Sequence, residues 1–209
     1  DDLAWLPVVS GDELAEAPER FRSRRYPQEH TLTLRSSGTG GRPKEVSYSR
    51  AALFTALAHG QRQRAVLSHF VGRSYGYREM NVQRSESVSR QLRRFYESCS
   101  WVPARIELRR ARVPVEAGFC EALRSVNDFR PDVLFGYGSY IGALYRWAFE
   151  TDREVHRPRV VWYGADAMAD ADRELLEGEL EVPVMSTYQA DEALRIAFQC
   201  ELRRGFHVS

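Results

Sequence analysis

Pro131-Asp132-Val133-Leu134-Phe135-Gly136-Tyr137-Gly138-Ser139 reads as a buried strand that runs through a glycine turn into a helix. The helix carries Ile141, Leu144, Tyr145 and Ala148 at helical spacing. Arg159-Val160-Val161-Trp162-Tyr163-Gly164-Ala165-Asp166 repeats the pattern, with a helix predicted over 169–180. Val182-Pro183-Val184-Met185 is a further strand that ends in Ser186-Thr187-Tyr188-Gln189-Ala190-Asp191-Glu192. Strands alternating with helices predict an α/β fold with a mostly parallel sheet flanked by helices. Ligands of such open sheets bind where the strands end at their carboxyl side. The tail, 195–199 and 206–208, alternates like an added hairpin with Gly205 near its turn.

Upstream, Val115, Phe119, Ala122, Leu123 and Val126 share one face of a helix over 115–129, with Cys120 beside them as an expected core thiol. Ile106-Glu107-Leu108 reads as a short strand and 86–94 as a polar helix. Gly72-Arg73-Ser74-Tyr75-Gly76-Tyr77 reads either as the wall of a small-molecule pocket or as a turn with packing tyrosines. Before it, Ser49 caps a helix expected to run toward Arg64, and 65–71 reads as a buried strand.

Leu34-Arg35-Ser36-Ser37-Gly38-Thr39-Gly40-Gly41-Arg42-Pro43-Lys44 joins two strand-like runs, 31–34 and 45–48. Its glycines let several N–H groups turn toward one point, and Ser36, Ser37 and Thr39 add hydroxyl donors, which suits a polyphosphate as well as a solvated turn. Lys44 is the only lysine among 30 basic residues. Its compact ammonium meets a phosphate oxygen differently from a planar guanidinium. The loop is not a Walker loop, because Pro43 and Glu45 stand where that pattern needs Gly and Ser or Thr. Residues 1–30 read as a lead-in arm with a capped helix after Ser10 and a basic cluster at Arg20, Arg22, Arg24 and Arg25. Residues 31–209 read as the core.

At 209 residues with a net charge of +1, no global field draws the chain to nucleic acid or to a membrane surface. No apolar run is long enough to span a bilayer, which argues against a membrane partner. The chain begins with Asp and without a leader-like segment, so processing at its front is expected. Three widely spaced cysteines, Cys99, Cys120 and Cys200, fit buried thiols in a reducing, cytoplasmic setting. Cys200 and His207 supply only two of the four ligands a zinc site wants.

Four stretches, taken together, resemble the AMP-forming adenylate-forming (ANL) superfamily. Residues 36–44 resemble its Ser-Ser-Gly-Thr-Thr-Gly-x-Pro-Lys loop, Gly164-Ala165-Asp166 its Gly-Ala-Glu turn, and Tyr188–Glu192 its Tyr-Gly-x-Thr-Glu. The spacing on to 196–201 and 205–208 is similar to the phenylacetate–CoA ligase branch, and Gln189 to its CapK-type relatives. The resemblance implies ATP- and Mg²⁺-dependent activation of a carboxylic acid as acyl-adenylate, with transfer to a thiol of coenzyme A or a carrier protein. It implies that Ser36, Ser37, Gly38, Thr39, Gly40, Gly41 and Lys44 hold phosphates, with Lys44 and Glu192 the catalytic pair. By the same resemblance Gly164, Ala165 and Asp166 lie along adenine, Tyr188 stacks near it, Gln189 belongs to the nucleotide-binding set, Asp191 takes the position that faces the α-phosphate, and Glu192 binds Mg²⁺.

Tyr75, Tyr77, Phe135 and Tyr137 suggest an aromatic-lined acid pocket. Asp191 stands where the family has Thr, and Gly40 where it has another Thr. The chain stops at Ser209, before the family's ribose-binding aspartate and mobile C-terminal domain, so either the core of a longer enzyme or a reduced homologue is expected. Three readings stay open: an adenylating enzyme, a module that binds nucleotide or acyl-adenylate without turnover, and a plain α/β interaction domain that binds no nucleotide. Oligomeric state is open too, a homodimer included.

Overall fold

The computed structural model describes residues 5, 7–27, 31–36, 42–85, 87–99 and 109–208. It divides into two compact units, Asp1–Ala56 with Ser87–Cys99, and Leu57–Glu86 with Ser100–Ser209. The glycine-rich residues 37–41 and the expected strand at 106–108 lie outside the described residues.

The first unit holds α1 (Gly11–Glu16), the antiparallel pair β1 (Thr31–Arg35) and β2 (Glu45–Ser49), the start of α2 (Arg50–Val71), and α3 (Val88–Cys99). Ser10 and Glu13 form a reciprocal capping box on α1. Ser49 accepts from the N–H of Ala52 at 3.2 Å and caps α2 as expected. Phe54 meets Phe95 and Tyr96 of α3, and the Tyr96 hydroxyl donates to the Leu53 carbonyl at 2.6 Å.

The second unit is the α/β sheet. Its strands are β3 (Arg78–Gln83), β4 (Arg109–Pro114), β5 (Val133–Tyr137), β6 (Val160–Gly164), β7 (Val184–Tyr188), β8 (Ala197–Gln199) and β9 (Phe206–Val208). They lie in the order β4-β3-β5-β6-β7-β8-β9, parallel through β7 and antiparallel across β8 and β9. The mostly parallel sheet and the C-terminal hairpin are both as the sequence predicts. Pro114, which cannot donate to a ladder, sits on edge strand β4.

Side chains alternate strictly through the central strands. Leu134, Val161 and Val184 pack in one cluster with α4 (Gly118–Phe129) and α5 (Gly138–Glu150). Val133, Val160, Trp162 and Met185 face the other way and pack with Val66, Leu67 and Val71 of α2. Both faces of the parallel strands are therefore covered, as the continuous apolar runs demand.

Three expectations are corrected. Residues 65–71 are not a strand; α2 continues to Val71. Val66, Leu67, Phe70 and Val71 recur at helical spacing, and no breaker intervenes before Gly72 turns to φ +76°. The short apolar run fits either period, and packing decides it. The helix expected over 169–180 passes from α6 (Asp170–Glu174) into a π turn at Leu175–Glu179. Cys120 and Cys99 are exposed, and Cys200 is half-buried, so the chain has no buried core thiol among them. Cys120 sits one position off the buried stripe of α4, which is enough to turn it to solvent.

At the amino edge of the sheet Asp132 ties three strands together. Its carboxylate accepts from the Arg78 N–H and the Arg73 guanidinium, both at 2.8 Å, while its own carbonyl accepts from the Arg159 N–H at 2.9 Å. Burial alone would raise its pKa. The Arg78 N–H and the Arg73 guanidinium outweigh that and hold it below the ordinary carboxylate value. The folded-state pKa is depressed, so the stabilisation is present above the unfolded value and is lost as pH falls through the folded one. Asp132→Asn should cost about 1.5–3 kcal/mol near neutrality. In urea melts, that deficit should shrink as pH drops below about 4.

Candidate functional site

The sheet changes direction at β3: chain order runs from β3 to β4 on one side, then crosses to β5 on the other. The crevice of such a sheet opens at the carboxyl ends of the strands flanking that switch. Here these ends are Arg84 after β3 and Tyr137 at the close of β5. Burial raises the pKa of the Tyr137 phenol, and the charges of Asp166 and Glu116 add to it, while Arg84 pulls it down. Arg84, Tyr137 and Asp166 therefore share one electrostatic neighbourhood at this edge.

The next two strand ends lie alongside. Tyr137 pairs with Gly164, and Tyr163 with Ser186, so the ends of β5, β6 and β7 stand in register. Within this unit the structure brings together Tyr137, Gly164, Ala165, Asp166 and Gln189. The Gln189 side chain lies over Gly164, with its Nε2 3.4 Å from where a Cβ there would stand. Ala165 has φ +72°, a left-handed conformation that costs a non-glycine residue about 1 kcal/mol. The turn presents Ala165 and Asp166 to solvent.

Asp166 is occupied. Its Oδ1 accepts from the Gly138 N–H at 2.6 Å and the Ser139 N–H at 3.4 Å, and its Oδ2 accepts from the Ser139 hydroxyl. These are the orphan donors at the start of α5, where a negative charge also meets the positive end of the helix dipole. Gly138 makes the approach possible: a Cβ there would lie 2.6 Å from Tyr163 Cδ2 and 2.8 Å from the Met168 nitrogen.

Tyr188 is 60% exposed at the end of β7. Its strand is held from beneath. Trp162, fully buried, donates through Nε1 to Thr187 Oγ1, and Gln63 Nε2 donates to the same oxygen at 3.3 Å. Gln63 Oε1 accepts from Arg195, whose guanidinium lies 3.0 Å from where a Cβ on Gly60 would stand. Ser186 N–H donates to the buried Gln199 side chain at 3.0 Å. This network fixes the segment that carries Asp191 and Glu192. Glu192 is exposed and Asp191 half-buried. A carboxylate such as Glu192 is a hard oxygen ligand of the type Mg²⁺ takes, one or two at a time, with water and phosphate completing its shell. Among the described residues no group of three or more His, Cys, Asp and Glu gathers as a metal cluster.

The three tyrosines expected to line one acid pocket are not together. Tyr137 closes β5 at the carboxyl edge, but Tyr75 and Tyr77 precede β3 at the amino edge. Strands β3 and β5 pair in register, which puts Tyr77 about 20 Å along the sheet from the level of Tyr137. Tyr77 is 1% exposed and packs with Val71, Val133 and Trp162, and burial pushes its phenol up to about 12. Tyr75 is 56% exposed on the loop. Of these three tyrosines, Tyr137 alone stays at the carboxyl-edge crevice.

In the first unit, Ser36 and Lys44 form the neck of the glycine loop. Ser36 N–H donates to the Lys44 carbonyl and Lys44 N–H to Ser36 Oγ, both at 3.0 Å. The Lys44 side chain runs along Gly11, where a Cβ would come within 2.9 Å of its Cε. Residues Ser37, Gly38, Thr39, Gly40 and Gly41 lie outside the described residues.

Sequence reasoning did not single out Arg84, Ser139, Gln63, Thr187 or Arg195. Ser139 directly follows the glycine turn and was legible as a helix-start hydroxyl; the others depend on tertiary neighbours. Asp166→Ala should uncap α5 and lower stability by about 1–2 kcal/mol, read as a shifted urea midpoint at unchanged slope, whereas Asp166→Asn should retain most of it.

No family model matches the sequence, and no curated protein matches it. Solved structures do match in fold. A 2-hydroxyisobutyryl-CoA ligase in the postadenylation state, in complex with R3-HIB-AMP, has a TM-score of 0.65 at 14% identity over 96% of this chain. VinN in complex with L-aspartate has a TM-score of 0.56 at 17% identity over 93%. An acyl-CoA synthetase (AMP-forming)/AMP-acid ligase II-like protein from Dyadobacter fermentans has a TM-score of 0.54 at 17% identity over 81%. The chain spans less than half of each of these, 43%, 48% and 44%. Its mixed α/β architecture, with a mostly parallel sheet flanked by helices, is the fold of the N-terminal domain of AMP-forming acyl-CoA ligases.

Proposed function

We propose that this chain is the nucleotide-binding core of an adenylate-forming enzyme that activates a carboxylic acid with ATP and passes the acyl group to a thiol such as coenzyme A. The observation that carries the reading is the alignment of two motif-bearing strand ends. Gly164-Ala165-Asp166 and Tyr188-Gln189 meet at the carboxyl edge of a sheet shared in fold with AMP-forming ligases. Gln189 and the motif spacing support a reading within the phenylacetate–CoA ligase branch, near its CapK-type relatives.

The roles follow from the chemistry. Attack of a carboxylate on the α-phosphorus brings anions together, so donors and cations must offset their repulsion. Lys44 and the loop at 36–41 would hold the terminal phosphates. Tyr188 would cover the base with its exposed ring, and the turn at 164–166 would border it. Glu192 would hold Mg²⁺, which supplies charge neutralisation when bound. Tyr137, half-buried at the crevice, would line the acid pocket. Arg84 beside it offers a cation for the incoming carboxylate.

A second reading, binding of nucleotide or acyl-adenylate without turnover, draws on Asp191. A carboxylate there, in place of a hydroxyl, repels an α-phosphate.

Pyrophosphate exchange into ATP, measured with Mg²⁺ and a panel of aryl and short aliphatic acids, separates the readings. Exchange should appear with one class of acid, and Glu192→Gln and Lys44→Ala should each reduce it by about 100-fold. ATP binding by calorimetry with no exchange would select the second reading, and Asp191→Thr should then gain exchange if the carboxylate is the obstacle. Neither binding nor exchange would overturn both.

A further inference from the structure

The first unit contains a cavity of about 370 Å³ that none of the roles above uses. It is lined by Arg22, Ser23, Tyr26, Thr31, Ser47 and Ser49, among others, and among the described residues no carboxylate lines it. The volume lies in the range of small-ligand pockets. We propose that this cavity binds a small oxyanion, the carboxylate or phosphate group of a metabolite, with Arg22 as its principal ligand. The site is independent of the adenylation reading.

Arg22 carries the argument. Its side chain is mostly buried, and its Nε is fully enclosed with no hydrogen-bond partner among the described residues. A buried, unmet guanidinium N–H is costly, and such groups in folded proteins are nearly always satisfied by protein, water or ligand. The carboxylate nearest to it among the described residues does not satisfy it. Glu45 stands 3.6 Å from Arg22 Nη2, beyond hydrogen-bond reach, and its Oε1 is taken by Arg35 through Nε at 2.8 Å and Nη2 at 2.6 Å. Two guanidiniums thus share a single anion.

The opposite wall adds donors. Thr31 pairs with Ser49 and Thr33 with Ser47, so four hydroxyl residues line one face of the β1–β2 ribbon. Ser49 Oγ already accepts from Ala52 N–H, and Ser23 Oγ from Arg25 N–H at 3.3 Å. Each hydroxyl that accepts a backbone N–H still carries its own hydrogen to donate. Ser49 also sits at the start of α2, whose dipole favours an anion. A cavity rich in donors, with one under-neutralised guanidinium and no acidic lining among the described residues, selects an acceptor-only ligand.

The Nε–Hε resonance of Arg22, identified by its loss in Arg22→Lys, reports the site directly in nitrogen–proton NMR of the full chain. Inorganic phosphate and benzoate are titrated separately, with potassium chloride at matched ionic strength as control. A saturable shift with phosphate assigns a phosphorylated ligand, and one with benzoate a carboxylate; either supports the site. Arg22→Lys keeps the charge but loses the fork, and calorimetry should show it weakening binding at least about tenfold. Ser23→Ala should weaken it by a few-fold and remains informative if Arg22→Lys fails to fold. Lys44→Ala should leave the Arg22 response intact, which separates this cavity from the glycine loop. No saturable shift with either anion into the tens of millimolar, or the same shift with chloride, overturns the proposal.

Discussion

Three missing Cβ atoms set the spacing of the second unit. A side chain at Gly136 would run into the Val82 carbonyl on β3, one at Gly138 into Tyr163 and the Met168 backbone, and one at Gly142 into Asp172 at 2.7 Å. Strand β5 and helix α5 can therefore approach their neighbours more closely than any larger residue allows. Two consequences follow from this proximity. The Asp166 carboxylate reaches the first N–H groups of α5, and the buried Asp172 reaches Arg146 at 2.7 Å. The site edge of the sheet and the far side of α5 are thus both fixed by polar contacts that only close packing permits.

Polar groups, rather than apolar ones, shape the carboxyl edge. Trp162, Thr187, Gln63 and Arg195 form a chain of hydrogen bonds from the core outward to the segment after β7. A buried network of this type rigidifies when every member is satisfied. It gives the segment after β7, which carries the exposed Tyr188 and Glu192, a firm base. The amino edge has its own tie in Asp132, so the parallel strands are held at both ends by carboxylates with different partners.

Much of this was legible in the residues. The repeated strand–glycine–helix pattern at 131–139 and 159–166 gives the parallel sheet, because apolar runs of that length bounded by glycine fit few other structures. The hairpin at 197–208 and the caps at Ser10 and Ser49 follow from local chemistry alone. What failed did so where two periods or two faces compete. Val66, Leu67, Phe70 and Val71 suit a strand or a helix face equally, and only the sheet beneath decides. Cys120 differs from a core position by one residue of rotation. Tyr75, Tyr77 and Tyr137 look alike as aromatics, but opposite ends of a parallel sheet are indistinguishable until strand direction is known. The buried network around Gln63 joins residues more than a hundred positions apart, a distance over which no sequence periodicity speaks.

The solitary lysine has a practical side. Its ammonium belongs to the neck between Ser36 and Gly11, and every other basic side chain is an arginine. Acetylation, ubiquitin attachment or an amine-reactive dye aimed at lysine side chains in this sequence has a single address. Within this sequence a fluorophore placed there would sit at the neck of the glycine loop, and lysine acylation would fall at the point where that neck is pinned.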